Sequence, residues 1–109
     1  MDGRVSAWTA DFVEKIRTTE EYIFYKDQVA LIQNYPELIT QINQYRAENF
    51  ELQNRYEGDE LFDKLEEFTQ KYETLLENPV ANDFLQAEAG LVKMMQEINI
   101  SLVEGLNFQ

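Results

Sequence analysis

Histidine and cysteine are both absent from the 109 residues, and with them go most of the side chains that carry chemistry near neutral pH. Without His, the usual nucleophile–base triads and histidine phosphotransfer have no working group, and a di-metal carboxylate bundle lacks its Glu-x-x-His pairs. Without Cys there are no disulfides, thiolate zinc sites or cysteine-held iron–sulfur clusters. Carboxylates remain. Glu66 and Glu67 are neighbours in sequence, but adjacent helical residues point in different directions, so the pair reads as solvated charge rather than an acid–base couple. Placing Gly58 at the sixth position of a calcium loop puts Gln53, Arg55, Glu57 and Lys64 at its ligand positions, a set of the wrong charge. No catalytic residue, no cofactor-binding residue and no metal ligand is expected, and the chain reads as non-enzymatic.

Glu88 is the one carboxylate with an unusual setting. Its neighbours three and four residues away are Phe84, Leu85, Leu91 and Val92, so on a helix it stands among apolar side chains. It reads either as a boundary residue whose head reaches water, or as a partly buried acceptor paired with an arginine, Arg46 or Arg55, that fixes helix register or an intersubunit contact. Gly90, inside the same helix, costs about 1 kcal/mol relative to Ala and suggests close helix approach. Met94 and Met95 face partly different ways, so a helix covered on one side leaves apolar surface for a second chain. Phe84, Glu88, Leu91, Met94, Met95, Ile98 and Leu102 are therefore the candidate interface of a homodimer or higher oligomer. The aromatics Trp8, Phe12, Tyr22, Phe24, Tyr25 and Tyr35 crowd the first third of the chain; they read as a core cluster, with a partner-binding patch as the other reading.

These residues must be placed by helices. Four Gly and two Pro leave little material for the turns of an all-β chain. Val5, Trp8, Phe12 and Ile16 recur at spacings of three and four, predicting a helix over 6–17. Thr18 followed by Glu21 forms a capping box opening a second helix over 18–34. Pro36 forbids its continuation and suits the first turn of a third, over 36–57. Gly58 and Asp59 read as a left-handed cap residue and the acceptor that restarts the chain. A fourth helix over 59–77 carries Leu61, Leu65, Phe68, Tyr72 and Leu75 in heptad rhythm. Asn78 caps a fifth over 79–105, opened by Pro79, with Val80, Phe84, Ala87, Leu91, Met94, Ile98 and Leu102 along one stripe. The expected fold is all-α: one domain, an antiparallel bundle of about five helices, the last two long ones packed in a coiled-coil-like manner.

Composition bounds the partners. Nine Lys and Arg against twenty-one Asp and Glu give a net charge of −12, with the basic residues spread singly, which disfavours direct nucleic-acid binding. No apolar run reaches the roughly 18–20 residues of a membrane span, and the segment from Met1 to Val5 lacks the apolar core of a secretory signal. A soluble, cytoplasmic protein is expected.

Several pieces, in order and spacing, resemble the YlbF/YmcA family of small helical bacterial proteins over nearly the whole chain. They are Thr19-Glu20-Glu21-Tyr22 with Tyr25-Lys26, Pro36-Glu37-Leu38-Ile39, Asn78-Pro79-Val80 with Phe84-Leu85-Gln86-Ala87-Glu88, and Glu97-Ile98-Asn99. The resemblance implies a regulatory protein without catalysis of its own, acting by assembly. Its partners would be family paralogues and RNase Y, with effects on messenger RNA processing, competence, sporulation and biofilm formation. Some members hold iron–sulfur clusters through cysteines; with no cysteine here, cluster binding does not carry over. A self-contained structural or chaperone-like helical oligomer is the alternative.

Overall fold

Two prolines and one asparagine punctuate the chain. In the computed structural model, which describes residues 1–108, Pro36 stands at the start of one helix and Asn78-Pro79 open another. Six helices result: α1 (Gly3–Ile16), α2 (Glu20–Ile32), α3 (Pro36–Arg55), α4 (Gly58–Lys71), α5 (Glu73–Glu77) and α6 (Pro79–Leu106). There is no strand among the described residues.

The caps are local and chemically specific. Asp2 accepts the Arg4 and Val5 backbone N–H groups at 2.9 and 3.0 Å, and Asn78 accepts those of Val80 and Ala81 at 3.0 and 3.2 Å, satisfying donors that no helical carbonyl reaches. At α2 the cap lies one residue later than expected. Thr19, not Thr18, accepts the Tyr22 N–H at 3.2 Å, while the Thr18 hydroxyl donates back to the Lys15 carbonyl at 2.7 Å. The capping box with Glu21 is therefore not formed. Gly58 has the left-handed φ of +64°, as its type permits, but Asp59 lies inside the first turn of α4 rather than capping it, and the preceding Glu57 makes no side-chain cap bond.

The helix expected over 59–77 is broken at Tyr72, whose φ and ψ of −103° and 14° end α4 and open α5; hence six helices, not five. The heptad side chains survive the break because Phe68, Tyr72 and Leu75 all turn inward, and each is buried. They form the core with Ile32, Ile42 and Ala81. The Tyr45 ring stacks on Phe68 at 5.1 Å and meets Tyr72 edge-on at 5.4 Å, arrangements that favour the aromatic quadrupoles. Lys71 at the end of α4 donates to Glu48 of α3 at 2.7 Å, tying the two helices beside this cluster.

The closest helix pair is α2 with α6, not the fourth and last long helices. Ile32 at the end of α2 shares a cluster with Ala81 at the start of α6, and the earlier Tyr25 meets the later Phe84 at 6.3 Å, so the two run antiparallel. Ala81 and Ala87 lie three residues either side of Phe84 on that face and are both buried; side chains this small let the backbones approach. α5 also packs on α6, whereas α4 lies against α3.

The core occupies one end of the molecule. α1 belongs to none of the closely packed pairs and has no buried residue, and α6 runs beyond the cluster for its last four turns. The radius of gyration is 18.1 Å, with extents of 50 × 37 × 20 Å, against about 13 Å for a compact chain of this length. The early aromatics are not a core: Trp8, Phe12, Phe24 and Tyr35 are exposed, and Tyr22 and Tyr25 are only half-buried.

Candidate interaction surface on the last helix

The candidate residues on α6 divide by their position along it. Near its start, Phe84 and Glu88 are engaged by their own chain. The Arg46 guanidinium of α3 lies 5.7 Å from the centre of the Phe84 ring and forms an ion pair with the Glu88 carboxylate. Cation and ring attract through the ring quadrupole, so Arg46 contacts both residues and bridges α3 to α6. The arginine partner is Arg46 and not Arg55, which pairs with Glu51 on its own helix at 3.5 Å.

Farther along, Met94 and Ile98 are half-buried, whereas Met95 is 44% and Leu102 53% exposed. Leu91 and Met95 line a shallow trough with Val92, Gln96, Asn99 and Ile100. Val92 follows Leu91 by one residue and so lies about 100° further round the helix, off the stripe that faces the core. Sequence reasoning by one stripe therefore passed over Val92, Ile100 and Leu106, all exposed. The available signal was their number. Between Leu91 and Leu106 the charged residues are Lys93, Glu97 and Glu104, far fewer than a solvated helix face of this length carries.

Gly90 marks no tight approach. A Cβ built there meets nothing within 4 Å, so its cost is not explained by packing.

A second concavity, of about 340 Å³, lies between α3 and α4 and contains Glu48, Glu51, Arg55, Lys64, Glu67 and Lys71. Its cations are already paired: Lys71 with Glu48 at 2.7 Å, Arg55 with Glu51 at 3.5 Å and Lys64 with Glu67 at 3.9 Å. The hydrogen bond from Lys71 holds the Glu48 carboxyl below its usual pKa, against an opposing effect of desolvation. The same bond raises Lys71, while burial, then the bond to Glu48, raises Tyr72. These are the shifts of a structural ion pair. Glu66 and Glu67 stay exposed, and among the described residues no group of three His, Cys, Asp or Glu side chains is placed to hold a metal ion. No helix of the described chain is long and apolar enough to cross a membrane.

Exposed apolar side chains thus gather on the trough of α6 and on α1, with Trp8 64% exposed beside Phe12 and Val13, while Phe50 and Phe62 stand exposed on α3 and α4. A surface of this kind suits protein–protein contact, where aromatic and Met side chains supply the desolvated centre. Compared with known proteins, residues 9–107 match the model of the family described as control of competence regulator ComK, YlbF/YmcA. No curated protein and no solved structure matches the chain.

Proposed function

Because the chain belongs to the YlbF/YmcA family, we propose that it is a non-catalytic regulatory adaptor that acts by assembly, the exposed apolar faces of α6 and α1 being covered by a second copy or a family paralogue and the resulting assembly binding further proteins. The observation that carries this reading is the family match over residues 9–107. The open shape and unpaired apolar surface supply the physical means: a chain that leaves Trp8, Met95 and Leu102 in water gains free energy when a partner covers them. The family description points the output toward competence control. The resemblance of the sequence pieces to members linked with RNase Y directs the search to messenger RNA processing, sporulation and biofilm formation, in the cytoplasm.

The alternative is a structural or chaperone-like oligomer that covers hydrophobic segments without a dedicated client, favoured by the same exposed surface. The two separate experimentally. A tagged chain is recovered at native expression from the cells that make it, and bound proteins are identified by mass spectrometry. Recovery of RNase Y or of family paralogues, lost when Met95 or Leu102 is replaced by Asp, supports the adaptor. Recovery of the bait alone as a stable oligomer, with suppression of aggregation of unrelated proteins, supports the alternative.

A further inference from the structure

Resting on the reading that this chain acts by assembly, we infer that the trough on the distal half of α6 is covered by the apolar face of α1 from a second copy, each copy giving its α1 and receiving its partner's. The juxtaposition is of two apolar helix faces that the chain itself leaves largely exposed. α1 sets Val5, Trp8, Phe12 and Ile16 along one stripe, yet buries none of its residues. An isolated helix of 14 residues is marginal in water, so its amphipathic face calls for a surface to lie on.

Length agrees. At 1.5 Å per residue α1 is about 21 Å long; the trough from Leu91 to Ile100 is about 15 Å, and the exposed Leu102 and Leu106 extend the apolar face to about 24 Å. Charge agrees as well. The first 17 residues carry three basic and three acidic side chains, so the net −12 resides in the remainder of the chain. Two such bodies repel one another, and α1 is the segment that approaches an acidic partner without that penalty. The trough itself contains no charged residue.

The chain's own α1 is joined to α2 by a short turn with local hydrogen bonds. The Thr18 hydroxyl bonds the Lys15 carbonyl and the Thr19 hydroxyl the Ile16 carbonyl, each at 2.7 Å, while Thr19 also accepts the Tyr22 N–H. These three bonds close the end of α1 and open α2, and no residue of the chain's own α1 lines the trough.

The area is sufficient. The nine exposed large apolar side chains on α1, the distal half of α6 and the following Phe108, at about 100 Å² each, amount to roughly 900 Å² when fully covered, close to the roughly 800 Å² one partner contributes to a standard interface. The exchange is isologous, because both contacts form in one two-fold dimer and no surface is left to propagate.

The test is the mass in solution by light scattering, with the wild type expected at twice the 12.9 kDa of the chain. Trp8→Asp and Met95→Asp are each expected to be monomeric, with helical circular dichroism lowered by no more than the share of the 14-residue α1. An equimolar mixture of the two, at higher concentration, is expected to regain dimer, because one chain supplies an intact α1 and the other an intact trough. Phe12→Asp with Val92→Asp repeats the cross should either first variant lose more helicity than α1 holds. Phe50→Asp, on α3 and 73% exposed, is expected to remain dimeric. A monomeric wild type overturns the inference, as does a mixture that stays monomeric or a Trp8→Asp that still dimerises while Met95→Asp does not, the signature of α6 packing on α6. Each of these failures leaves the adaptor reading standing, since that is decided by the proteins recovered from cells.

Discussion

Arg46 and Glu88, 42 residues apart in the chain, form an ion pair that joins α3 to α6 beside the Phe84 ring. The pair is partly solvated, with the two side chains 41% and 33% exposed, which limits its worth to about 0.5–1 kcal/mol. Glu88→Gln is expected to lower the thermal midpoint by roughly 2–5 °C and to leave the oligomeric mass unchanged, because Glu88 is turned to its own α3. A double-mutant cycle with Arg46→Met, read by denaturant unfolding, measures the coupling; a value near zero removes the register role.

Core and surface apolar residues should respond very differently. Ile42 is 2% exposed within the cluster, and Ile42→Ala is expected to cost 2–5 kcal/mol through lost burial and the cavity left behind. In so small a core this brings the chain close to global unfolding. Trp8→Ala, measured on monomer at low concentration, is expected to fall within about 0.5 kcal/mol of wild type.

Two glycines predict opposite signs. Gly58 holds a φ of +64°, where a Cβ costs about 1–2 kcal/mol, so Gly58→Ala is expected to destabilise by that amount. Gly90 is in mid-helix with open space at its Cβ position, and Gly90→Ala is expected to stabilise by up to about 1 kcal/mol. Thermal melts of the two single variants decide both; a loss of stability in Gly90→Ala would mean that a partner backbone approaches there.

The ion pair between Glu48 and Lys71 makes stability depend on pH at both ends. Glu48 is held below its usual pKa by the hydrogen bond from Lys71. Its contribution is therefore complete above the unfolded carboxyl pKa and disappears as pH falls through the lower folded value. Lys71 and Tyr72 are raised, so their contribution is complete below their unfolded values and is lost as pH rises through the folded ones. Glu48→Gln is expected to flatten the acid limb of a midpoint-against-pH curve, leaving any alkaline dependence due to the burial of Tyr72. An acid limb as steep as that of the wild type assigns the dependence elsewhere.

Most helix boundaries were legible because the forces that set them are local. Pro36 and Pro79 cannot continue a preceding helix, Asn78 reaches the amides two and three residues ahead, and the apolar spacing of each segment carries the helical period. The break at Tyr72 was not legible. Nothing within five residues demands it, and the heptad rhythm runs through it unchanged; it comes with Tyr72 turning inward against Tyr45 of α3, a contact with an element distant in sequence.

The surface follows the same division. Sequence alone made the chain helical, acidic and free of His and Cys chemistry, and it placed an excess of apolar side chains on the last helix. Only the tertiary structure decided which of them are covered: Phe84 and Glu88 are taken up by Arg46 and Tyr25, while Val92, Met95 and the α1 aromatics are left in water. Periodicity records that a helix has an apolar face, a property of consecutive residues. Which helix covers that face is settled by competition among segments for the same surface, and here the core cluster, α2 and α5 claim the first half of α6 and leave much of the second exposed.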